Sequence, residues 1–170
     1  MKTQIRIIAI ALFLIGISVS TFAQVSATAS ASATIVTPIA ISKTVDMNFG
    51  NVAVSATAGT VVMTAAGVRS LTGGVTLPAT TGTVTAASFT VSGAPSYTYS
   101  ITLPGTATTI TSGANSMTVS TFTSNPTTTG TLSAGGTQTL NVGATLNVGA
   151  SQVAGLYTSG TPFSVTVNYN

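Results

Sequence analysis

The amino-acid sequence predicts an all-β fold, an antiparallel β-sandwich whose strands are joined by Greek-key connections. Three observations carry this expectation. Residues 24–170 contain 33 Thr, with many Ser, Ala, Val and Gly, and Thr and Val favour a pleated, half-buried surface. Apolar side chains recur at every second position in run after run, which places them on one face of a strand. Turn signals interrupt these runs about every 10 to 20 residues, and no window sustains the period of a helix.

The chain opens with Lys2 and Arg6, followed by an apolar run over residues 7–19. That run is too short and wrongly flanked for a membrane span, and Thr21 and Ala23 place small residues where a signal peptidase reads them. Residues 1–23 are therefore expected to be a signal peptide cut between Ala23 and Gln24. A mitochondrial presequence would be amphipathic and Arg-rich, unlike this continuous apolar block. The expected destination is outside the cytoplasm of a bacterium, in the periplasm, on the cell surface or beyond it. No membrane span is expected once the signal is removed.

Residues 24–36 follow as an alternating segment. Val25, Ala27, Ala29, Ala31, Ala33 and Ile35 form one small apolar face, opposite Ser26, Thr28, Ser30, Ser32 and Thr34. Two fates are open to it: first strand of its own sandwich, or a strand added to the edge of a neighbouring copy. An Ala face buries little, at about 0.8 kcal/mol per CH₂, so ladder hydrogen bonds would supply most of the stabilisation in either case.

Residues 37–170 are expected to form the sandwich itself. About 147 residues after the signal can bury close to 70% of the unfolded chain's surface, so one core without disulfides suffices. Strands are predicted at 39–41, 47–49, 60–65 and 74–77, and around Phe89 and Val91. Tyr97, Tyr99, Ile101 and Leu103 alternate in mid-chain, and Met117 with Val119 marks a shorter run. Leu140, Val142, Ala144, Leu146 and Val148 alternate with Asn141, Gly143, Thr145 and Asn147, long enough for a full strand. Phe163, Val165, Val167 and Tyr169 predict a C-terminal strand. Turns are predicted at Gly73-Gly74, Ser92-Gly93 with Pro95, Pro104-Gly105, Ser112-Gly113, Asn125-Pro126 and Gly135-Gly136. Many short strands with frequent turns read as an immunoglobulin-like architecture, although the Trp and paired Cys of antibody domains are missing.

Composition narrows function sharply. Charged residues make up 3% of the 170, and there is no Cys, His or Trp, where roughly a quarter of a typical domain is charged. Zinc fingers, thiol redox sites and disulfide scaffolds are excluded for want of ligands. Without the signal the charged side chains are Lys43, Arg69 and Asp46, a net charge of +1. No basic cluster exists to hold nucleic acid or an anionic membrane. A calcium site wants several convergent carboxylates, and Asp46 stands alone. No cofactor is expected.

Catalysis has little to draw on. General acid–base chemistry would rest on Lys43 and Asp46, which three-residue spacing in a strand puts on opposite faces, so a tight ion pair is not expected. A Ser activated by Lys43 lacks an oxyanion-hole motif, and an isopeptide bond from Lys43 to an Asn would need a buried lysine. Inert, solvated charges are the simpler expectation. Tyr97, Tyr99, Tyr157 and Tyr169 have rings suited to stacking on sugars, yet their alternation with aliphatics predicts core packing.

Several stretches carry a resemblance. Thr37-Pro38-Ile39-Ala40-Ile41, Met47-Asn48-Phe49-Gly50 and Ala87-Ser88-Phe89-Thr90-Val91-Ser92-Gly93 are three of them. Residues 142–149, Ala154-Gly155-Leu156-Tyr157 and Val165-Thr166-Val167-Asn168-Tyr169 complete the set. Together they resemble the bacterial family catalogued as domain of unknown function 4402, over nearly the whole chain after the signal. The resemblance implies a secreted or cell-surface β domain and supplies no catalytic residues. The ending is similar, more loosely, to fimbrial pilins and spore-coat-U-like domains: a Gly155-Leu156-Tyr157 turn, an alternating last strand and a penultimate Tyr169. That likeness implies a pilin-like sandwich whose N-terminal extension completes a neighbour. The chain departs from it in lacking the disulfide common in pilins.

The expectation is thus an exported, non-enzymatic structural subunit of a fibre, pilus or matrix. It would associate with itself through β edges, and an export chaperone is an open partner. The alternative is a monomeric secreted binding module, an adhesin for glycans or an ice-binding surface. Alternating Thr81, Thr83 and Thr85 would contribute hydroxyls to such a surface.

Overall fold

A computed structural model describes residues 23–170. The predicted signal peptide lies outside the described residues except for Ala23. The chain divides into two units, the first ending at Thr34 and the second comprising Ile35–Asn170. In the first, residues 23–34 belong to no strand and are exposed throughout. The second unit is all-β and antiparallel.

Twelve strands are found among the described residues: β1 (Ala40–Val45), β2 (Asn48–Phe49), β3 (Ala53–Met63), β4 (Arg69–Thr76), β5 (Val84–Thr85) and β6 (Ala87–Ser92), then β7 (Thr98–Thr102), β8 (Thr108–Ser112), β9 (Asn115–Asn125), β10 (Thr129–Thr131), β11 (Thr137–Val148) and β12 (Thr166–Tyr169). A seven-stranded sheet runs β1-β6-β11-β3-β4, with β9 also on β11 and β8 on β9. A three-stranded sheet has the order β10-β7-β12, and β2 pairs with β5. Neighbours distant in sequence lie side by side, which is compatible with Greek-key connections in a sandwich.

β11 is the axis of the large sheet. Residues Thr137 to Val142 pair with β6, and Ala144 to Val148 pair with β3. Residues 141–143 and 145–147 also pair with β9 on the opposite edge. One edge of β11 therefore passes from β6 to β3 at Gly143. A Cβ there would collide with the carbonyl oxygen of Met63 and the backbone of Thr64, so the handover requires glycine. Opposite it, β9 absorbs a register shift, with Thr121 in the left-handed region at φ 50°, as a bulge demands.

Period-two alternation on β11 sorts into two cores. Leu140 and Val142 join Ala87, Val91, Tyr99, Leu132 and Val167, so the β6/β11 face and the small sheet share one core. Ala144, Leu146 and Val148 join Phe49, Val61, Met63, Val75 and Val119 in the other. Fully burying each large aliphatic contributes roughly 1.5–3 kcal/mol, so these alternations hold the two faces together.

Departures from the sequence expectations have local causes. Residues 24–36 pair with no strand of the described residues, and their Ala face is too small to be held by burial alone. β3 starts at Ala53, seven residues before the predicted 60–65 run, because its first part is exposed on both faces and shows no alternation of burial. Gly73-Gly74 is not a turn but lies inside β4, where the ladder to β3 is irregular and Gly73 has φ 69°. β8 and β10 are short Thr-rich strands without strong apolar alternation. In the C-terminal strand, Val167 and Tyr169 lie on β12, whereas Phe163 and Val165 precede it. Thr166 pairs with Thr102, and the next rung would fall opposite Pro104, which has no N–H to give. Phe163 and Val165 still pack on the second core.

Candidate functional site

The ionisable groups do not converge. Lys43 Nζ lies 2.6 Å from Asp46 Oδ1, with both side chains mostly exposed. This corrects the expectation of opposite faces, because the β1 ladder slips between Lys43 and Val45 and Asp46 lies beyond the strand. An exposed pair of this kind contributes at most about 1 kcal/mol. Lys43 is thus not the buried amine that isopeptide chemistry needs. Arg69 donates to the carbonyls of Phe49 (2.5 Å) and Asn51 (3.1 Å), fixing the turn at Gly50. Among the described residues no three His, Cys, Asp or Glu come together, and no helix is long and apolar enough to cross a membrane.

The tyrosines divide by role. Tyr99 is fully buried, donates to Gln138 Oε1 at 2.8 Å, and its pKa is pushed above the ordinary value of 10.0 by burial. Tyr157 donates to the Val153 carbonyl and accepts from Gln152 Nε2, bracing the loop after β11. Tyr169 accepts from the Ala94 N–H at 2.6 Å and donates to the Thr37 carbonyl at 2.8 Å. Tyr97 meets Tyr169 edge-on, with ring centroids 5.6 Å apart. The last strand therefore clamps Thr37, three residues before β1 begins.

Ladder ends define the remaining surfaces. Pairing leaves β1, β4, β8, β10 and β12 at sheet edges, together with both members of the two-residue β2–β5 pair. β8 is singular among them, because Thr111 exchanges two backbone hydrogen bonds with Thr158, at 2.9 and 3.0 Å, beyond its ladder to β9. Past that rung the two segments diverge around a groove of about 490 Å³, whose lining includes Pro104, Ala107, Thr109, Thr161, Pro162 and Phe163. No lining residue is ionisable. Sequence reasoning missed this groove, since its walls are about 50 residues apart and neither carries a motif.

A second surface lies on the outer face of the large sheet. Thr72, Thr60, Asn147, Thr118 and Thr109 are register partners in turn across β4, β3, β11, β9 and β8. Thr60 and Thr72 share a 2.8 Å hydroxyl contact, and the Asn147 amide donates to Thr118 and to Ser120 Oγ. Thr81 and Thr83, expected to contribute hydroxyls in alternation with Thr85, lie in the loop before β5 instead. The hydroxyl row was legible only as the polar half of each alternating strand.

Fold and surfaces together define an all-β, antiparallel domain whose distinctive features are strand edges and neutral faces. The chain belongs to the family described as Domain of unknown function (DUF4402), whose sequence profile matches residues 39–169. No curated protein and no solved structure matches it.

Proposed function

We propose that this protein is an exported, non-enzymatic structural protein of a bacterial surface, a fibre, pilus-like or matrix subunit that associates by β-strand addition through residues 24–36. One observation carries the reading. An uncharged, alternating segment lies exposed and in no strand, immediately ahead of a domain with unpaired edges. Strand addition uses main-chain hydrogen bonds for affinity and alternate side chains for fit, and this segment offers both. A near-neutral surface adds little repulsion between copies. An exposed pairing edge would need shielding during export, which is the role proposed for a chaperone partner.

Electron microscopy and size-exclusion chromatography of residues 24–170 and 37–170 test this. The longer chain is expected to form fibres or large species and the shorter to stay monomeric. Two monomers of equal stability at high concentration would overturn the proposal.

The hydroxyl row favours a second reading, a secreted module that binds neutral glycans. Strand spacing of about 4.8 Å sets its repeat, and sheet twist of about 20° per strand curves it. A flexible neutral polysaccharide chain follows such a curve better than a planar ice surface. Retention on insoluble neutral polysaccharide, abolished by Thr60→Lys, is the expected result; thermal hysteresis without retention would point to ice instead.

A further inference from the structure

We propose that the groove between β8 and residues 160–164 receives residues 24–35 of a second copy of this chain, added antiparallel to β8. The proposal rests on the strand-addition reading and names its acceptor.

The missing rungs are visible in the backbone. In an antiparallel ladder the residues that bond one edge recur at every second position. Thr111 bonds Thr158 on the edge away from β9, so Thr109, two residues back in β8, aims its N–H and C=O groups the same way. Among the described residues nothing pairs with them on that side. The natural continuation after Thr158 is lost because Gly160 and Pro162 follow, and Pro162 has no N–H. Residues 159–165 enter no ladder either. The groove is thus flanked by unpaired backbone on both walls.

Side chains make the same match. The ring of Phe163 in the lining packs on Phe122 with centroids 4.9 Å apart, so part of the apolar floor is already occupied from within. Val25, Ala27, Ala29, Ala31, Ala33 and Ile35 present a face that is small along its middle, as such a floor requires. No residue from 24 to 37 is charged or bears a carboxylate, and the first Pro is Pro38. Twelve extended residues span about 40 Å, whereas the five residues of β8 span about 17 Å, so the segment reaches a neighbour with length to spare.

Other edges are blunted. β1 carries Lys43, paired with Asp46 just beyond the strand, β4 the irregularity at Gly73, β10 has three residues, and β2 and β5 have two each. β12 is short and its Tyr169 is committed to Ala94 and Thr37. Charges, bulges and short strands are the usual protections of an edge; β8 is short but carries no charge and no register shift, and its edge is paired at Thr111 alone.

The absence of cysteine allows a direct test in the whole exported chain. Ala27→Cys, Ala29→Cys and Ala31→Cys variants are each mixed with a Thr161→Cys variant under mild oxidation, and the unfolding of every variant is recorded. Disulfide-linked dimers between the two kinds of chain are expected from at least one mixture, and none with a Thr57→Cys control. Thr109→Pro removes an N–H aimed into the groove and spares the β9 ladder; it should weaken association about tenfold, the equivalent of roughly one backbone hydrogen bond. Assembly that needs residues 24–36 yet gives no Thr161 crosslink and tolerates Thr109→Pro would overturn the groove while leaving strand addition standing. Assembly indifferent to residues 24–36, or no assembly at all, would overturn strand addition itself. A concentration-independent disulfide within one doubly substituted chain would overturn the second copy as occupant.

Discussion

Tyr169 shows how much one hydroxyl can organise when its partners are far apart in sequence. Its oxygen accepts from Ala94, 75 residues away, and donates to Thr37, 132 residues away. Tyr169→Phe is expected to leave both groups short of a partner and to lower stability by about 1–2 kcal/mol, read from urea unfolding. Tyr99 gives the pH counterpart. Burial raises its folded pKa above 10.0, so the folded state holds the phenolic proton more tightly than the unfolded state does. Its contribution is complete below pH 10 and is lost as pH rises through the folded value. Stability should therefore fall above pH 10, and Tyr99→Phe should flatten that fall in denaturant titrations at pH 8 and 11. Alternation in the sequence identified both rings as packed, but no local signal could assign their hydroxyl partners. The Lys43–Asp46 pair was misread for a related reason: period two fails at the slip that ends β1.

Strands were legible where one face is apolar and the other polar. β11 is the clearest case, because Leu140, Val142, Ala144, Leu146 and Val148 are all buried and no other register would bury them together. β8 and β10 are not legible because β8 has a single apolar residue, Ile110, and β10 has none, and the first part of β3 is not because its first six residues are exposed. Gly143 looked like one more polar-face position, whereas it is the point at which two strands share an edge. Gly143→Ala must push β3 away from β11 and should cost about 2–3 kcal/mol as overpacking. Gly105→Ala, where nothing lies within 4 Å of the added Cβ, is the matched control and should be near neutral. Thermal or urea unfolding of the pair checks this at the level of the ladder.

At the scale of the whole molecule, composition had already set the terms. Three ionisable acidic and basic side chains after residue 23 leave electrostatics almost nothing to steer. Association through backbone rungs and small apolar contacts should thus change less than about twofold between low and physiological salt, well within what screening of a few exposed charges allows. Light scattering across a salt series measures it, and a steep dependence would point to a charged partner instead. The fold class and the family could be read from patterning, because both reside in alternation and spacing. The groove could not, because it exists only where residues 107–109 and 160–164 come to face each other.

The clamp of Tyr169 on Thr37 also bears on how the protein is handled. Thr37 and the last strand meet at one place, so an affinity tag or fluorescent fusion joined after Asn170 would emerge close to Thr37. Labels belong instead at the β3–β4 hairpin tip, where Ala66 is exposed. The same proximity makes circular permutation a practical route. New ends opened at that tip, with the old ones joined by a short linker, would preserve the sandwich while removing the free segment.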